Sequence, residues 1–254
     1  MKYAIHAGHG LKGKGTVGAV GFLDESTEAR EICRRVIEYL KENGDTVTDC
    51  TEDSGTQNKI LSSIVKKTNA SAADFAISIH FNAGAKKTAD NKTTGVEVLV
   101  YNTTSKAIPM ARRISEKVAA LGYKNRGIKY APTLYVLKKT NMPTLLVECC
   151  FVDDPDDAKI YNRDTMAKAI AEGILDKTLT ISNPSLSPQP NTLGEFRVRI
   201  TASTLAVRKE PKATAKLVTS VKKGDVYTIV EMSGNWGKLK SGAGWMNLKY
   251  TERI

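Results

Sequence analysis

The sequence predicts two folds in series, a layered α/β domain and a small all-β barrel. Three observations carry that prediction. From residue 3 to residue 175, apolar runs of strand length alternate with segments of helical spacing. A stretch rich in Pro, Ser, Thr and Asn, TLTISNPSLSPQPNTLGE at 178–195, then breaks the pattern. Beyond it, short strand-like runs follow one another closely, separated by Gly, Pro, Asn and Ser.

The elements follow in order. Residues 3–7 form a short apolar run, a first strand, and a glycine-rich stretch follows. Residues 25–43 place Ala29, Ile32, Val36, Tyr39 and Leu40 at helical spacing, and Gly44 stops that helix. Residues 46–50 read as a second strand. Residues 59–67 read as a helix with Ile60, Leu61 and Ile64 on one face. Strands are predicted at 75–80 and 96–101, then a helix at 107–121 closed by Gly122. An apolar strand at 144–149 and a helix at 165–175 complete the domain. In the tail, the runs are 196–200, 205–207, 217–221, 226–231, 238–239 and 245–248.

Composition excludes several classes. With 254 residues, 41% hydrophobic and 26% charged, the chain is neither disordered nor fibrous. No apolar run approaches the roughly 20 residues of a membrane span. The N-terminus lacks the apolar core of a secretory signal, so synthesis in the cytoplasm is expected. Four cysteines, irregularly spaced, are too few for a disulfide scaffold. The net charge is +11, and residues 196–254 carry twelve Lys/Arg against four acids. A basic tail points to an anionic partner: nucleic acid, a membrane surface or an anionic polymer. No helix-turn-helix or zinc-finger spacing supports nucleic acid.

Of the three histidines, His9 follows the first strand in AGHG and His80 closes the strand FAISIH. In open α/β sheets, sites form beyond the carboxyl ends of strands. One such histidine is an ordinary polar residue at a strand end; two on separate strands mark a site. Zinc hydrolases commonly use two His and one carboxylate. Glu25 and Glu148 are the carboxylates at element ends. An acid at a helix start, like Glu25, is also explained by capping and the helix dipole. Glu148 interrupts the apolar run LLVECCF (145–151), where a charge is costly unless paired, protonated or used. Residues 8–13 match G-x-G-x-x-G and 8–15 nearly match a phosphate loop. Gly15 stands where Ser or Thr would hold magnesium, and the chain stays glycine-rich instead of opening a helix. Cys149 and Cys150 offer a thiol nucleophile, set against their use as small buried hydrophobes.

Residues 1–176 resemble the zinc-dependent N-acetylmuramoyl-L-alanine amidases (amidase type 3) of bacteria and their phages. The motifs are AGHG (7–10), GAVGFLDESTE (18–28), SIHFNA (78–83) and PTLLVE (143–148) followed by Phe151-Val152, with Asn125-Arg126-Gly127 in support. The resemblance implies a mixed, mostly parallel sheet with helices on both faces. It implies His9, Glu25 and His80 as zinc ligands and Glu148 as the catalytic acid/base. Arg126 and Asn82 become candidate substrate contacts. Glu28 competes with Glu25 for the second motif, and helix register favours Glu25. His6 stands where the family often has Asp, and Cys149-Cys150 replaces an apolar-Gly pair.

The tail resembles a bacterial SH3 domain through LAVR (205–208), Pro211, KGD (223–225), GNW (234–236), GWM (244–246) and Tyr250. That implies cell-wall binding, with Trp236 and Arg208 as candidate contacts and Trp245 as barrel packing. The expected organisation is a catalytic domain at 1–177, a linker at 178–195 and a wall-binding domain at 196–254. The expected function is that of a phage-endolysin-like peptidoglycan hydrolase. Zinc-activated water would cut the amide between N-acetylmuramic acid and L-alanine. A host autolysin of the same chemistry, and a non-catalytic wall-binding protein with a degenerate amidase domain, are the alternatives. The enzyme would act on the wall after release, through a holin-type route or mother-cell lysis. The basic tail reads as directed at anionic wall polymers, with no nucleic acid and no membrane span.

Overall fold

The computed structural model describes residues 1–85, 88–179, 196–233 and 236–254. Most of the expected 178–195 linker lies outside the described residues, as do Gly234 and Asn235 of the GNW motif. The chain divides into two compact units, Met1–Pro188 and Gln189–Ile254.

The first unit is built on six strands: β1 (Lys2–Ala7), β2 (Thr46–Asp49), β3 (Phe75–Asn82), β4 (Val96–Val100), β5 (Asn125–Tyr130) and β6 (Thr144–Phe151). Their order is β2-β1-β3-β6-β4-β5. All neighbours run parallel except β4 and β6, which pair antiparallel. The expected mixed, mostly parallel sheet is thus the one observed. β1 and β6 are buried along almost their whole length. That explains why they read as continuous apolar runs rather than alternating ones.

Helices cover both faces. They are α1 (Glu25–Glu42), α2 (Gln57–Ala70), α3 (Ile108–Ala119), α4 (Tyr135–Lys139), α5 (Pro155–Ile160) and α6 (Arg163–Leu175). Ile60, Ile64 and Val65 of α2 and Val136 and Leu137 of α4 pack on Leu146 of β6. Leu145 and Val147, out of phase with Leu146, are equally buried, so the second face is covered too. On that side α6 packs against both α1 and α3. α1 starts where Asp24 caps it, the Asp24 side chain accepting from the Thr27 N–H at 3.1 Å.

Three elements of the first unit escape the sequence pattern. β5 is a half-exposed strand with no apolar alternation, paired through an irregular register with β4. α4 and α5 have five and six residues, too short to display a helical stripe. α2 also outruns the predicted 59–67, because the added residues, Gln57, Asn58, Thr68, Asn69 and Ala70, bring no large apolar side chain to extend the stripe.

The second unit is one antiparallel sheet, as an SH3-like fold requires. Its strands are β7 (Phe196–Ile200), β8 (Thr204–Arg208), β9 (Leu217–Lys222), β10 (Val226–Ser233), β11 (Trp236–Leu239), β12 (Trp245–Asn247) and β13 (Thr251–Arg253), in the order β13-β7-β10-β11-β12-β8-β9. In β7, Phe196, Val198 and Ile200 are buried while Arg197 and Arg199 point outward. The period of two sorts apolar residues from charged ones, so these bases lie on the surface. β13, pairing back onto β7, was not anticipated from the sequence.

Candidate metal centre

Three elements deliver the side chains. β1 ends at Ala7, and Gly8 and His9 follow beyond its carboxyl end. β3 carries His80 near its own carboxyl end. Glu25 is the first residue of α1 and is buried. Gly8 has to be glycine here, because a Cβ would lie 1.7 Å from the His80 ring. Gly18 is similarly constrained, since a Cβ would come within 2.3 Å of Glu25 Oε2.

The three side chains meet. His80 Nδ1 lies 3.0 Å and His9 Nε2 3.4 Å from Glu25 Oε1. The Phe81 N–H donates to the same oxygen at 3.0 Å, and the Ala19 N–H donates to Oε2 at 2.8 Å. The two imidazoles stand edge to face, centroids 5.0 Å apart. One ligand atom from each of the three residues lies within 4.8 Å of the other two. Burial alone would push the Glu25 carboxyl up, but hydrogen bonds from His80 and His9 outweigh it and hold it well below the usual carboxylate range. Two imidazole nitrogens and a carboxylate oxygen converging in this way are a donor set suited to zinc.

Glu148 lies alongside. In the β3–β6 register it is the partner of His80. With His9 and His80 it lines a cavity of about 270 Å³, whose apolar wall includes Leu61, Leu134 and Tyr135. Its Oε2 is buried with no hydrogen-bond partner among the described residues. Burial, then the charges of Glu25 and Glu97, push its carboxyl up to about 8.

That shift makes a stability prediction for the metal-free protein. A carboxyl raised in the fold binds a proton between the unfolded value of 4.5 and about 8, where the unfolded chain does not. Stability should therefore fall as pH rises through that window. Glu148→Gln removes the titration. Wild type and variant should melt together near pH 4.5, and the variant should melt several degrees higher at pH 8 and above. Thermal melts in chelator across this range check it, and parallel curves would refute it.

The remaining candidates fall elsewhere. Arg126 Nε donates to Glu97 Oε2 at 2.7 Å, and Asn82 Nδ2 donates to Glu97 Oε1 at 2.9 Å. The Arg126 guanidinium also sits 5.0 Å from the Phe151 ring centre. Both residues converge on Glu97, and neither lines the cavity beside the triad. Glu97 is itself the β4 partner of Glu148 and was missed. In the alternating run VEVLV (96–100) it reads as an ordinary outward-facing charge.

Glu28, the competing acid, is engaged at the start of α6 and just before it: Arg163 binds both its oxygens, at 2.8 and 2.9 Å, and the Tyr161 hydroxyl donates at 2.7 Å. His6 is buried, its Nδ1 3.4 Å from the Ser78 hydroxyl. Burial, then His80, push it down to about 4, so it stays neutral. All four cysteines are buried, and burial pushes the Cys149 and Cys150 thiols well above their ordinary range. That disfavours the thiol-nucleophile reading. No helix follows Gly13, and the chain stays irregular until α1, which removes the nucleotide-loop readings. In the second unit, Trp236 is half-buried and Arg208 donates to the Ala215 carbonyl at 2.8 Å. Trp245 is buried, with the Lys238 ammonium 5.7 Å from its ring centre.

Residues 4–178 match the family model described as N-acetylmuramoyl-L-alanine amidase, and residues 203–252 match the bacterial SH3 domain. An uncharacterized protein of Clostridium perfringens (strain 13 / Type A) is 33% identical over 91% of this chain and 69% of its own length. The endolysin of Bacillus phage SPP1 is 29% identical over 70% of this chain and 65% of its own. Among solved structures, the catalytic domain of the CD27L endolysin targeting Clostridia Difficile aligns with a TM-score of 0.64 at 27% identity, covering 71% of this chain and 99% of that domain. The chain spans 55% to 69% of the length of the first curated relatives it matches.

Proposed function

We propose a specific activity for this chain, which belongs to the N-acetylmuramoyl-L-alanine amidase family: it is a peptidoglycan hydrolase that cuts the amide between N-acetylmuramic acid and L-alanine. The observation that carries the reading is the convergence of His9, Glu25 and His80, two of which, His9 and His80, line one cavity together with Glu148 of β6.

His9, Glu25 and His80 would hold a zinc ion. Bound there, zinc would supply Lewis-acid polarisation of the amide carbonyl and a lowered pKa for water. The chain's own residues do the rest. Glu148 takes the proton of the attacking water and gives it to the leaving amine. Its buried, unpartnered Oε2 supports that role, because an acceptor held out of bulk water waits for a partner inside the cavity. Glu25 stays ionised between its two histidines and the Phe81 and Ala19 N–H groups, so its charge remains available to a cation. Leu134 and Tyr135 supply an apolar wall for the substrate. Arg126 and Asn82, both bound to Glu97, the strand partner of Glu148, would contact a substrate extending beyond the cavity.

Residues 1–177 would form the catalytic domain, joined through 178–195 to a wall-binding domain at 196–254. The similarity to a phage endolysin supports action on the wall after release from the cell that makes it. The outward arginines of β7 support attraction of the second domain to anionic wall polymers, with Trp236 and Arg208 as its candidate wall contacts. Removing 196–254 is then expected to weaken wall binding severalfold at low salt, with a smaller difference at high salt, and to spare zinc binding. A wall-pelleting assay across a salt series checks this, and unchanged affinity would remove the targeting role. The activity itself is tested by mass analysis of digested wall. Free L-alanine amino termini with intact glycan are expected, and peptide or glycan cleavage products alone would refute it.

A further inference from the structure

We propose that Arg30 is a positioning residue for the metal centre, holding His9 in place relative to Glu25. This rests on the zinc reading of the triad. The three ligands are not equally braced. Glu25 is fixed by a helix start and two main-chain N–H donors. His80 lies within a strand that is paired on both sides. His9 stands past a strand end in an irregular segment: the N–H groups of the flanking Gly8 and Gly10 donate to the Ile79 and Thr16 carbonyls, but no strand or helix carries His9 itself.

Arg30 adds a side-chain brace to the carbonyls of that segment. It lies on α1, five residues after Glu25, and its side chain is 15% exposed. A guanidinium has five N–H donors in a rigid fork. Here Nη2 donates to the His9 carbonyl at 2.8 Å and the Glu52 carbonyl at 3.0 Å. Nη1 donates to the Ser26 carbonyl at 2.9 Å and reaches the Gly10 carbonyl at 3.4 Å. Nε donates to Asp53 Oδ1 at 3.0 Å. Each donor has an acceptor, and two of the acceptors are the carbonyls of His9 and Gly10. The same side chain therefore joins the helix that carries Glu25, the loop that carries His9 and the segment after β2. Lysine has the charge but not the fork, and cannot serve these acceptors together.

The test is zinc affinity of the full chain, measured by competition with a chromophoric chelator. Groups that orient metal ligands typically contribute about 10–100-fold to metal affinity. Arg30→Met is expected to lose that much, and Arg30→Lys an intermediate amount. Arg113→Met is the control, because Arg113 braces the Gly173 carbonyl at 3.0 Å on α6 and has no contact with the triad. It should lower the melting temperature and leave zinc affinity unchanged. Wild-type zinc affinity in Arg30→Met would overturn the proposal, as would an equal loss in the Arg113 control. If Arg30→Met does not fold, Arg30→Lys decides by the same criterion: a clear loss supports the proposal and wild-type affinity overturns it. Failure of the wild-type chain to bind zinc would overturn the metal reading, and this proposal with it. Tight wild-type binding with no effect at Arg30 would overturn this proposal alone.

Discussion

Glu148→Ala is expected to retain zinc and to lose wall lysis by at least about 100-fold. Positioned general acid–base groups typically contribute 10²–10⁴-fold. Glu148 is placed to do so in both directions. It lies in the cavity with two of the proposed ligands, its Oε2 is unpartnered, and its carboxyl sits near 8 in the metal-free chain. It is not one of the three converging donors, so its loss leaves the donor set whole. A bound cation would pull the carboxyl down toward neutrality, where one group can both accept and return a proton. The measurement pairs wall-suspension turbidity with zinc content by mass spectrometry. Normal lysis by the variant would exclude Glu148 as the proton carrier. Loss of zinc together with lysis would make it a ligand instead.

Glu28→Ala is expected to destabilise the first domain by about 3–5 kcal/mol without removing zinc from the folded protein. Removing one partner of a buried ion pair leaves the other charge uncompensated, and that penalty exceeds the net worth of the pair. Here Arg163 would lose two hydrogen bonds at once, and the Tyr161 hydroxyl an acceptor at 2.7 Å. What remains near Arg163 is Glu31 at 4.0 Å, a poor substitute. Glu28→Gln keeps the shape and one acceptor and should lie between alanine and wild type. Urea unfolding of the three proteins, with zinc measured in parallel, checks this. If Glu28→Ala releases zinc and keeps wild-type stability, the roles of Glu25 and Glu28 are exchanged.

That pair of glutamates shows where sequence reasoning stopped. Both stand in the first turn of α1, three residues apart, and both suit a helix N-terminus. Helix register favours Glu25 for the site, but it does not say what either acid meets. Glu25 meets His80, 55 residues away, whereas Glu28 meets Arg163, 135 residues away. Docking of α1 against the sheet and α6 made that distinction. Glu97 was hidden for a related reason. Its run alternates like a half-exposed strand, and only pairing with β6 puts it beside Glu148. Arg30 carries no local signal at all. Its five acceptors come from three separate segments that fold together around it.

The sequence by itself determined the alternation of strands and helices, the change to short strands in the tail, and the placing of His9 and His80 at strand ends. These features depend on period, burial and local backbone chemistry, which neighbouring residues specify among themselves. It also marked Glu148, because a charge inside an apolar strand stands out against its own neighbours. The tertiary structure alone decided what holds Glu28, which charge sits beside Glu148, and which arginine braces the His9 loop. Each of those outcomes is a contact between groups tens of residues apart, set by how helices and strands dock across the sheet rather than by local preference.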